Sequence, residues 1–318
     1  AGTDAVAAAS DGCDRPKLGQ PEPVRAPADD EVLVATQNLR RLFDDVDDGG
    51  QVLTPAQYEL RRTKLARQIV DVLHVPDVLA VQEVENHSVL SALAADVAAL
   101  SGRPPYRPLV MEGNDPGGID VGFLVRPDWK VLSARQLLAH LRLGGRPLFD
   151  RPPLHLVLQD DAGRQLELVN VHLKSLKGSE HPGKKQAIAG KRRQQALALA
   201  AWWRQQVSHR PQATLLMLGD FNATPEILGG VDVLGELRSA GLVAVSDRMP
   251  AAERYTYVFQ CRPELIDNIL ASPGVMTRVR DVAASRGNAD ARSRARKVAA
   301  TAAGSSDHDA LVLYLSRH

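Results

Sequence analysis

Asp220 and Asn222 stand two positions apart at the end of the apolar run LLMLGDFN (215–222). Side chains alternate across a strand, so residues i and i+2 share a face. A strand carried through Gly219 would project a carboxylate and a carboxamide together from its carboxyl end, where layered folds commonly hold their chemistry. A strand closing in an Asx turn would use the same residue types, so this stretch alone leaves both readings open. The pattern recurs along the chain. VLVATQN (32–38) ends at Asn38, VLAVQEVEN (78–86) delivers Glu83, and LELVNVHLKS (166–175) delivers Asn170 and His172 at i, i+2. ELIDNIL (264–270) carries Asp267 inside an apolar run, and GSSDHDALVLYL (304–315) sets Asp307 and His308 just before the last strand. Each has an ordinary explanation when taken singly: Asn38 and Asn170 as turn caps, Glu83 as a partner for a lysine, His172 as a satisfied histidine. Asp267 resists that treatment, because an unpaired buried carboxylate is costly. Six polar strand ends in one chain point to one shared site.

The elements that must position these residues are legible as alternating and helical periods. Thr54-Pro55-Ala56-Gln57 has the form of a capping box with proline at the first helical position, and predicts a helix to about Leu73. Val89, Leu90, Leu93, Val97 and Leu100 recur at helical spacing, and residues 191–207 read as a second long helix. Helical stretches broken by glycine are expected over 227–240. Further strand-like runs lie at 106–111, 119–125, 131–138, 154–158, 255–259 and 266–271. Some strands follow one another directly and others alternate with helices, which argues against pure βαβ winding. The expected fold is α/β (α+β): a four-layer sandwich of two mixed, mainly antiparallel sheets packed face to face, with helices outside. Residues 1–30 read as an extended N-terminal arm and 31–318 as one domain, with 278–304, rich in Arg and Ala, as a long surface loop.

Composition adds bounds. At 318 residues and 44% hydrophobic content the chain can bury a substantial core. No run reaches the roughly 18–20 apolar residues of a membrane span. The stretch AGTDAVAAASDGCDRP has no basic and apolar regions of an intact signal peptide; it reads as the stub left after cleavage, and the expected location is secreted or periplasmic. Two cysteines, Cys13 and Cys261, are too few for a four-thiolate zinc site. They read equally as one disulfide or as two unrelated thiols.

In their order along the chain these motifs resemble the endonuclease/exonuclease/phosphatase superfamily, which includes deoxyribonuclease I-like nucleases, abasic-site endonucleases, sphingomyelinases and inositol-polyphosphate phosphatases. The resemblance rests on the Asn after the first strand, QEVEN, NVHLKS, GDFN, the Asp of the I-D-x-I-L run and the terminal S-D-H, and spans about 31–316. It is nearest to bacterial, often exported members, with GNDPGGIDVGFLVRP and SSDHDALVLYL as further common stretches. Two positions depart from the family pattern: Asn268 stands where His is frequent after the catalytic Asp, and Asp120 with its glycines stands where many nucleases carry Arg or Tyr. The resemblance implies hydrolysis of a phosphate ester with a hard divalent cation, Mg²⁺ or alternatively Mn²⁺ or Ca²⁺. Glu83 would be the principal ligand, with Asn38 close by and Asp307 at or near the metal. Asp220 would orient or deprotonate the attacking water. Asn222 and His172 would donate to the non-bridging oxygens. His308 would act as a second acid/base group or transition-state donor, held in one tautomer by Asp267. Which of Asp220 and His308 takes the proton stays open at this stage.

For the substrate, residues 174–193 carry Lys174, Lys177, Lys184, Lys185, Lys191, Arg192 and Arg193 against one acid, Glu180. A second basic run, Arg292, Arg294, Arg296 and Lys297, precedes Asp307. Basic segments flanking a phosphodiesterase site suit a nucleic-acid backbone, with Asn170, Lys174, Lys184, Lys185 and Arg192 as the expected contacts; a solvated loop is the plain alternative. With only 4% aromatic residues, recognition would be directed at the backbone and poor in sequence preference. The rival readings are a phosphatase or phospholipase C-type hydrolase on inositol phosphates or sphingolipid headgroups, and a catalytically silent binding protein on the same scaffold. No obligate protein partner is evident.

Overall fold

A computed structural model of the chain describes residues 17–47, 50–227 and 229–317. Two six-stranded sheets form its centre. The first runs, edge to edge, β15 (Val279–Ala284), β16 (Leu311–Ser316), β1 (Glu31–Leu42), β2 (Val78–Val84), β4 (Asp120–Val125) and β3 (Arg107–Val110). The second runs β11 (Val243–Ala244), β14 (Asp267–Ala271), β10 (Leu215–Asp220), β9 (Gln165–His172), β8 (Leu154–Gln159) and β5 (Lys130–Gln136). Short hairpins β6/β7 (Arg142–Leu143, Arg146–Pro147) and β12/β13 (Tyr257–Phe259, Arg262–Glu264) stand apart from both.

Each sheet holds one parallel pair, β1 with β2 and β9 with β10; every other neighbour is antiparallel. Strands of a parallel pair end at the same edge, so the carboxyl ends of four strands gather at one end of the molecule. This is what the motif-bearing strand ends require.

Three apolar layers hold the stack together. Val34, Ala80, Phe123, Leu156, Leu168, Leu218, Ile269 and Leu313 are among the residues buried between the sheets. Helices α1 (Pro55–Arg67) and α2 (His87–Ser101) cover the outer face of the first sheet through Leu65, Leu90 and Leu93, joined by Ile69 of the π-helical segment Gln68–Val72 that continues α1. Helices α3 (Pro182–His209) and α4 (Val233–Ser239) cover the second through Leu199, Trp203, Leu234 and Leu237. The expected four layers, two mixed sheets between helices, are observed.

Local signals account for the helix starts. Thr54 accepts from the Gln57 N–H while Gln57 Oε1 accepts from the Thr54 N–H at 2.9 Å, with Pro55 following, so the capping box forms as the sequence specified. Asn86 caps α2, and Gly102 (φ 66°) ends it in the left-handed region.

Two expectations are corrected. First, α3 begins at Pro182, not near 191; Lys184 and Lys185 therefore lie in the first turn of a helix, where proline at its start and good helix formers replace the expected loop. Second, 278–304 is no surface loop. It contains β15, and Ser285, Arg286, Asn288, Asp290 and Ala295 are buried. Its interior charges are matched: Arg286 Nη1 lies 3.4 Å from Asp309 Oδ2 and donates to the Tyr255 carbonyl, while Asp309 Oδ1 accepts from the Asn288 and Ala289 N–H groups. Residues 17–30 lie along this segment, with bridges Leu18↔Ala291 and Glu22↔Arg286. Of the two readings left open for the cysteines, the structure holds Cys261 as a disulfide-bonded residue; Cys13 lies outside the described residues.

Candidate active site and metal centre

Register brings the second sheet's reactive groups side by side. Asp220 is opposite His172 on one flank and opposite Asp267 on the other. Gly219, just before it, has φ 135°, and a Cβ there would meet the Val171 carbonyl oxygen at 2.1 Å. Only glycine fits that approach, and it lets the strand turn its last residue toward the site. The first sheet contributes Asn38 and Glu83. Glu83 sits at a register shift between Gln82 and Val84 with φ 61°, a strained position of the kind found at sites. Asn222 (φ 48°) and the consecutive Arg40 and Arg41 (φ 55° and 53°) add further left-handed non-glycine residues around the centre.

These groups converge across the two sheets. Asn38 Nδ2 donates to Glu83 Oε1 and to Asp220 Oδ2, both at 3.1 Å. His172 Nε2 lies 3.6 Å from Asp220 Oδ2 and 3.9 Å from Glu83 Oε1. His308 Nδ1 donates to Asp267 Oδ2 at 2.8 Å. Glu83, His172 and Asp220 form one group whose ligand atoms lie within 4.8 Å of each other, and Asp220, Asp267 and His308 form a second. Asp220 belongs to both.

Beneath the site the sheets are tied by buried amides. Asn170 donates to the Val81 and Gly122 carbonyls and accepts from Gln82 Nε2 at 2.8 Å, and Gln82 also donates to Thr36 Oγ1 at 3.0 Å.

Burial sets the proton affinities. Asp220 is pushed up to about 7, by desolvation first and then by Asp267. Burial opposes charge on His308, yet Asp267, with Asp220 and Asp307 beyond, outweighs it and raises the imidazole to about 10. His172 goes the other way: burial, with Arg151 and His308 adding to it, holds it well below its usual value. His172 is therefore a neutral N–H donor beside two carboxylates, although its distances fall within ion-pair range. His308 is an imidazolium.

Other expected site residues are placed differently. Asp307 is in neither group; its Oδ2 lies 3.6 Å from Arg40 Nε, and its buried Oδ1 has no hydrogen-bond partner. Asn222 gives one amide hydrogen to the Leu173 carbonyl at 3.1 Å, leaving its second. Asn170 and Arg192 are corrections: neither can reach a substrate. Asn170 is fully buried in the inter-sheet tie, and Arg192 is 1% exposed, donating to the Lys174 and Asn222 carbonyls. Lys191 is neutralised by both Asp150 oxygens at 2.7 and 2.8 Å. Lys174, Lys177, Lys184 and His181 line an open cleft of about 640 Å³ with Glu180 as its single acid; Lys185 is exposed on the same helix but outside that lining. Lys174 is partly desolvated, which lowers its ammonium's affinity for a proton.

Sequence reading missed Tyr257, whose ring lies 4.8 Å from that of His308, and Arg151, which donates to the His172 and Leu173 carbonyls and pairs with Asp115 at 2.8 Å. The signal for Tyr257 was its alternating run just before the Asp267 motif. Arg151 gave none.

The donor set fits a hard divalent cation. Glu83 and Asp220 bring carboxylate oxygens together across the Asn38 amide, and burial leaves Asp220 short of compensation even with the Asn222 N–H on its Oδ1 and the His308 charge nearby. Oxygen-rich sets of this kind suit Mg²⁺ or Ca²⁺.

The comparisons agree with this geometry. The model of the Endonuclease/Exonuclease/phosphatase family matches residues 35–308, and the chain belongs to that family, whose members hydrolyse phosphate esters. Among solved structures, the human Nocturnin catalytic domain with bound sulfate is similar at TM-score 0.60 and 18% identity, covering 95% of this chain and 99% of that one. D. rerio TDP2 complexed with a single-strand DNA product is similar at TM-score 0.58 and 19% identity, over 90% of this chain and 99% of that one. An endonuclease/exonuclease/phosphatase from Bacteroides vulgatus gives TM-score 0.58 and 19% identity, over 90% and 98%. At these identities the likeness shows the fold. No curated protein matches the chain significantly. Among the described residues no helix is long and apolar enough to cross a membrane.

Proposed function

We propose that the protein is a divalent-metal-dependent phosphodiesterase acting on nucleic acid with little sequence preference. The observation that carries this reading is the position of Asp220, flanked in register by His172 and Asp267 and linked through Asn38 to Glu83 of the other sheet. Glu83, with Asn38 and Asp220, would hold the cation, Mg²⁺ for preference, which when bound supplies charge stabilisation at the phosphoryl oxygens. The chain's own groups do the rest. Asp220, ionised when the cation is bound, would orient the attacking water and accept its proton. His308, charged and fixed through Nδ1 by Asp267, presents Nε2 as a donor to the negative charge that grows on the phosphoryl oxygens. Neutral His172 and the second amide hydrogen of Asn222 add donors without adding charge.

The cleft lined by Lys174, Lys177 and Lys184 supports a polyanionic substrate, because these cations lie close after His172 along the chain and the cleft holds one acid, Glu180. The DNA product bound by D. rerio TDP2 is consistent with this class of ligand on this fold. The disulfide at Cys261 supports a secreted or periplasmic location. The test is a substrate panel with purified protein and Mg²⁺: plasmid, single-stranded DNA, RNA, phosphorylated inositols and sphingomyelin. The expected result is hydrolysis of the nucleic acids, in comparable measure across sequences. Turnover of phosphorylated inositols or sphingomyelin well above that of DNA would overturn the substrate class while leaving the centre intact.

A further inference from the structure

Helix α1 lies on the outer face of the first sheet, away from the reacting groups, yet it buries a lysine. Lys64 is 1% exposed. Its Nζ donates to four backbone carbonyls, those of Ala295 at 2.9 Å, Val298 at 2.9 Å, Thr301 at 2.6 Å and Ala303 at 2.8 Å. An ammonium carries three hydrogens, so four oxygens surround it as carbonyls surround a desolvated cation. These acceptors belong to one loop, 295–303, which a single positive charge thereby folds around itself.

That loop leads into the site. Arg296 Nη1 donates to the Ser306 carbonyl at 2.9 Å, and Ser306 Oγ donates to the Asn38 carbonyl at 2.7 Å. Asp307 and His308 follow directly. One turn back on α1, Arg61 Nη2 donates to the Leu39 and Arg40 carbonyls at 2.6 and 2.8 Å. One turn on, Arg67 Nε donates to the Ala299 carbonyl at 3.0 Å. Arg61, Lys64 and Arg67 recur at i, i+3, i+6 and so lie along one face of the helix. This face grips both segments that flank the centre: the one leaving Asn38 and the one arriving at His308.

We propose that Lys64 is a positioning residue of the phosphoester-hydrolysing site, an internal cation that builds the 295–303 loop and, through Ser306, sets Asp307 and His308 against Asn38. The proposal rests on the reading given under Proposed function for its activity readout alone. The loop-ordering claim is read separately.

The experiment compares wild type, Lys64→Met, Lys64→Ala and Ser306→Ala, each with Mg²⁺ and a DNA substrate. The readouts are steady-state kinetics and hydrogen exchange by mass spectrometry. Lys64→Met keeps the stem and loses every donor. It is expected to lower kcat by about 10- to 100-fold with KM within about threefold, as misplacement of reacting groups does. Exchange should rise over 295–306 while β1, β2, β9 and β10 keep their protection. Lys64→Ala leaves a channel the size of the deleted three methylenes and ammonium, so added propylammonium should restore both kcat and loop protection in that variant and do neither in Lys64→Met. Ser306→Ala, which leaves the helix untouched, should reproduce the kcat loss with the loop up to residue 303 still protected.

Unchanged exchange over 295–306 in Lys64→Met overturns the proposal whatever the substrate proves to be. So does an equal rise in exchange over the whole molecule with no rescue by propylammonium, which would make Lys64 an ordinary contributor to stability. If wild type hydrolyses no nucleic acid, the Proposed function fails, and the exchange and rescue of loop protection still decide the role of Lys64.

Discussion

At the scale of single residues, the site depends on opposite proton affinities in adjacent groups. His172 is held neutral, His308 is held charged, and Asp220 sits between them at about 7. Removing the carboxylate in Asp220→Asn, or the imidazole in His308→Ala, should each cost on the order of 100-fold or more in kcat. Steady-state rates on DNA check this, and turnover within a few-fold of wild type in either variant would place the chemistry elsewhere. The same groups fix a pH effect. Asp220 binds its proton more tightly folded than unfolded, so its stabilising contribution is present at low pH and is lost as pH rises through about 7. The contribution of His308, also raised, is complete below its unfolded value of about 6.5 and is lost as pH rises through about 10. A bound cation instead requires Asp220 to be ionised. Mg²⁺ should therefore raise the Tm more at pH 8 than at pH 5.5, measured by thermal unfolding with and without the ion; a larger increment at pH 5.5 would contradict the assignment of Asp220.

Among elements, the strand ends were legible and the segment between β15 and β16 was not. Alternation put Asn170 and His172 on a shared face, but β10 ends at Asp220, whose Oδ1 accepts the Asn222 N–H at 2.8 Å in an Asx turn with Asn222 at φ 48°. What alternation could not tell was which polar residue faces solvent. Asn170 has the same spacing as a site residue, yet its amide is consumed tying the sheets together. Arg192 reads like its lysine neighbours, yet it is buried against carbonyls. The Arg- and Ala-rich run at 278–304 looked solvated because its partners, Asp309 for Arg286 and the Ser306 carbonyl for Arg296, are set by tertiary contacts with no local signature. The segment from Lys174 into the first turn of α3 carries the substrate argument. Replacing Lys177 and Lys184 with Ala should flatten the fall of log affinity with log salt on DNA by roughly 0.7–0.9 per lost phosphate contact. The loss in kcat/KM on DNA should exceed that on bis-p-nitrophenyl phosphate by about tenfold or more, since small diesters do not span the cleft. An unchanged salt slope would return these lysines to the solvated surface.

For the whole molecule, two sheets meet so that one parallel pair from each ends at the same place. Asn38 and Glu83 come from one sheet and His172 and Asp220 from the other, so the site exists only while the sheets stay packed. Phe123 is fully buried in that interface, and Phe123→Ala should destabilise the fold by about 3–5 kcal/mol in chemical denaturation. A cost below about 1 kcal/mol would mean that the two sheets are held mainly from outside. The family and the layered fold could be read from the order of the motifs, because that order is the order in which strands reach the common edge. The substrate could not, because it depends on which cations remain unpaired after folding.

The central claim, that Glu83 and its neighbours hold a divalent cation on which hydrolysis depends, is tested most directly by titrating Mg²⁺ into metal-free wild type and Glu83→Gln while following DNA hydrolysis. The account predicts no turnover in excess chelator and saturable recovery with Mg²⁺ in the wild type. In Glu83→Gln it predicts recovery that is weaker by at least about tenfold in apparent affinity and strongly reduced in rate, since the variant lacks the anionic ligand of the first sheet. Full activity in excess chelator, or identical Mg²⁺ dependence in the two proteins, would contradict it.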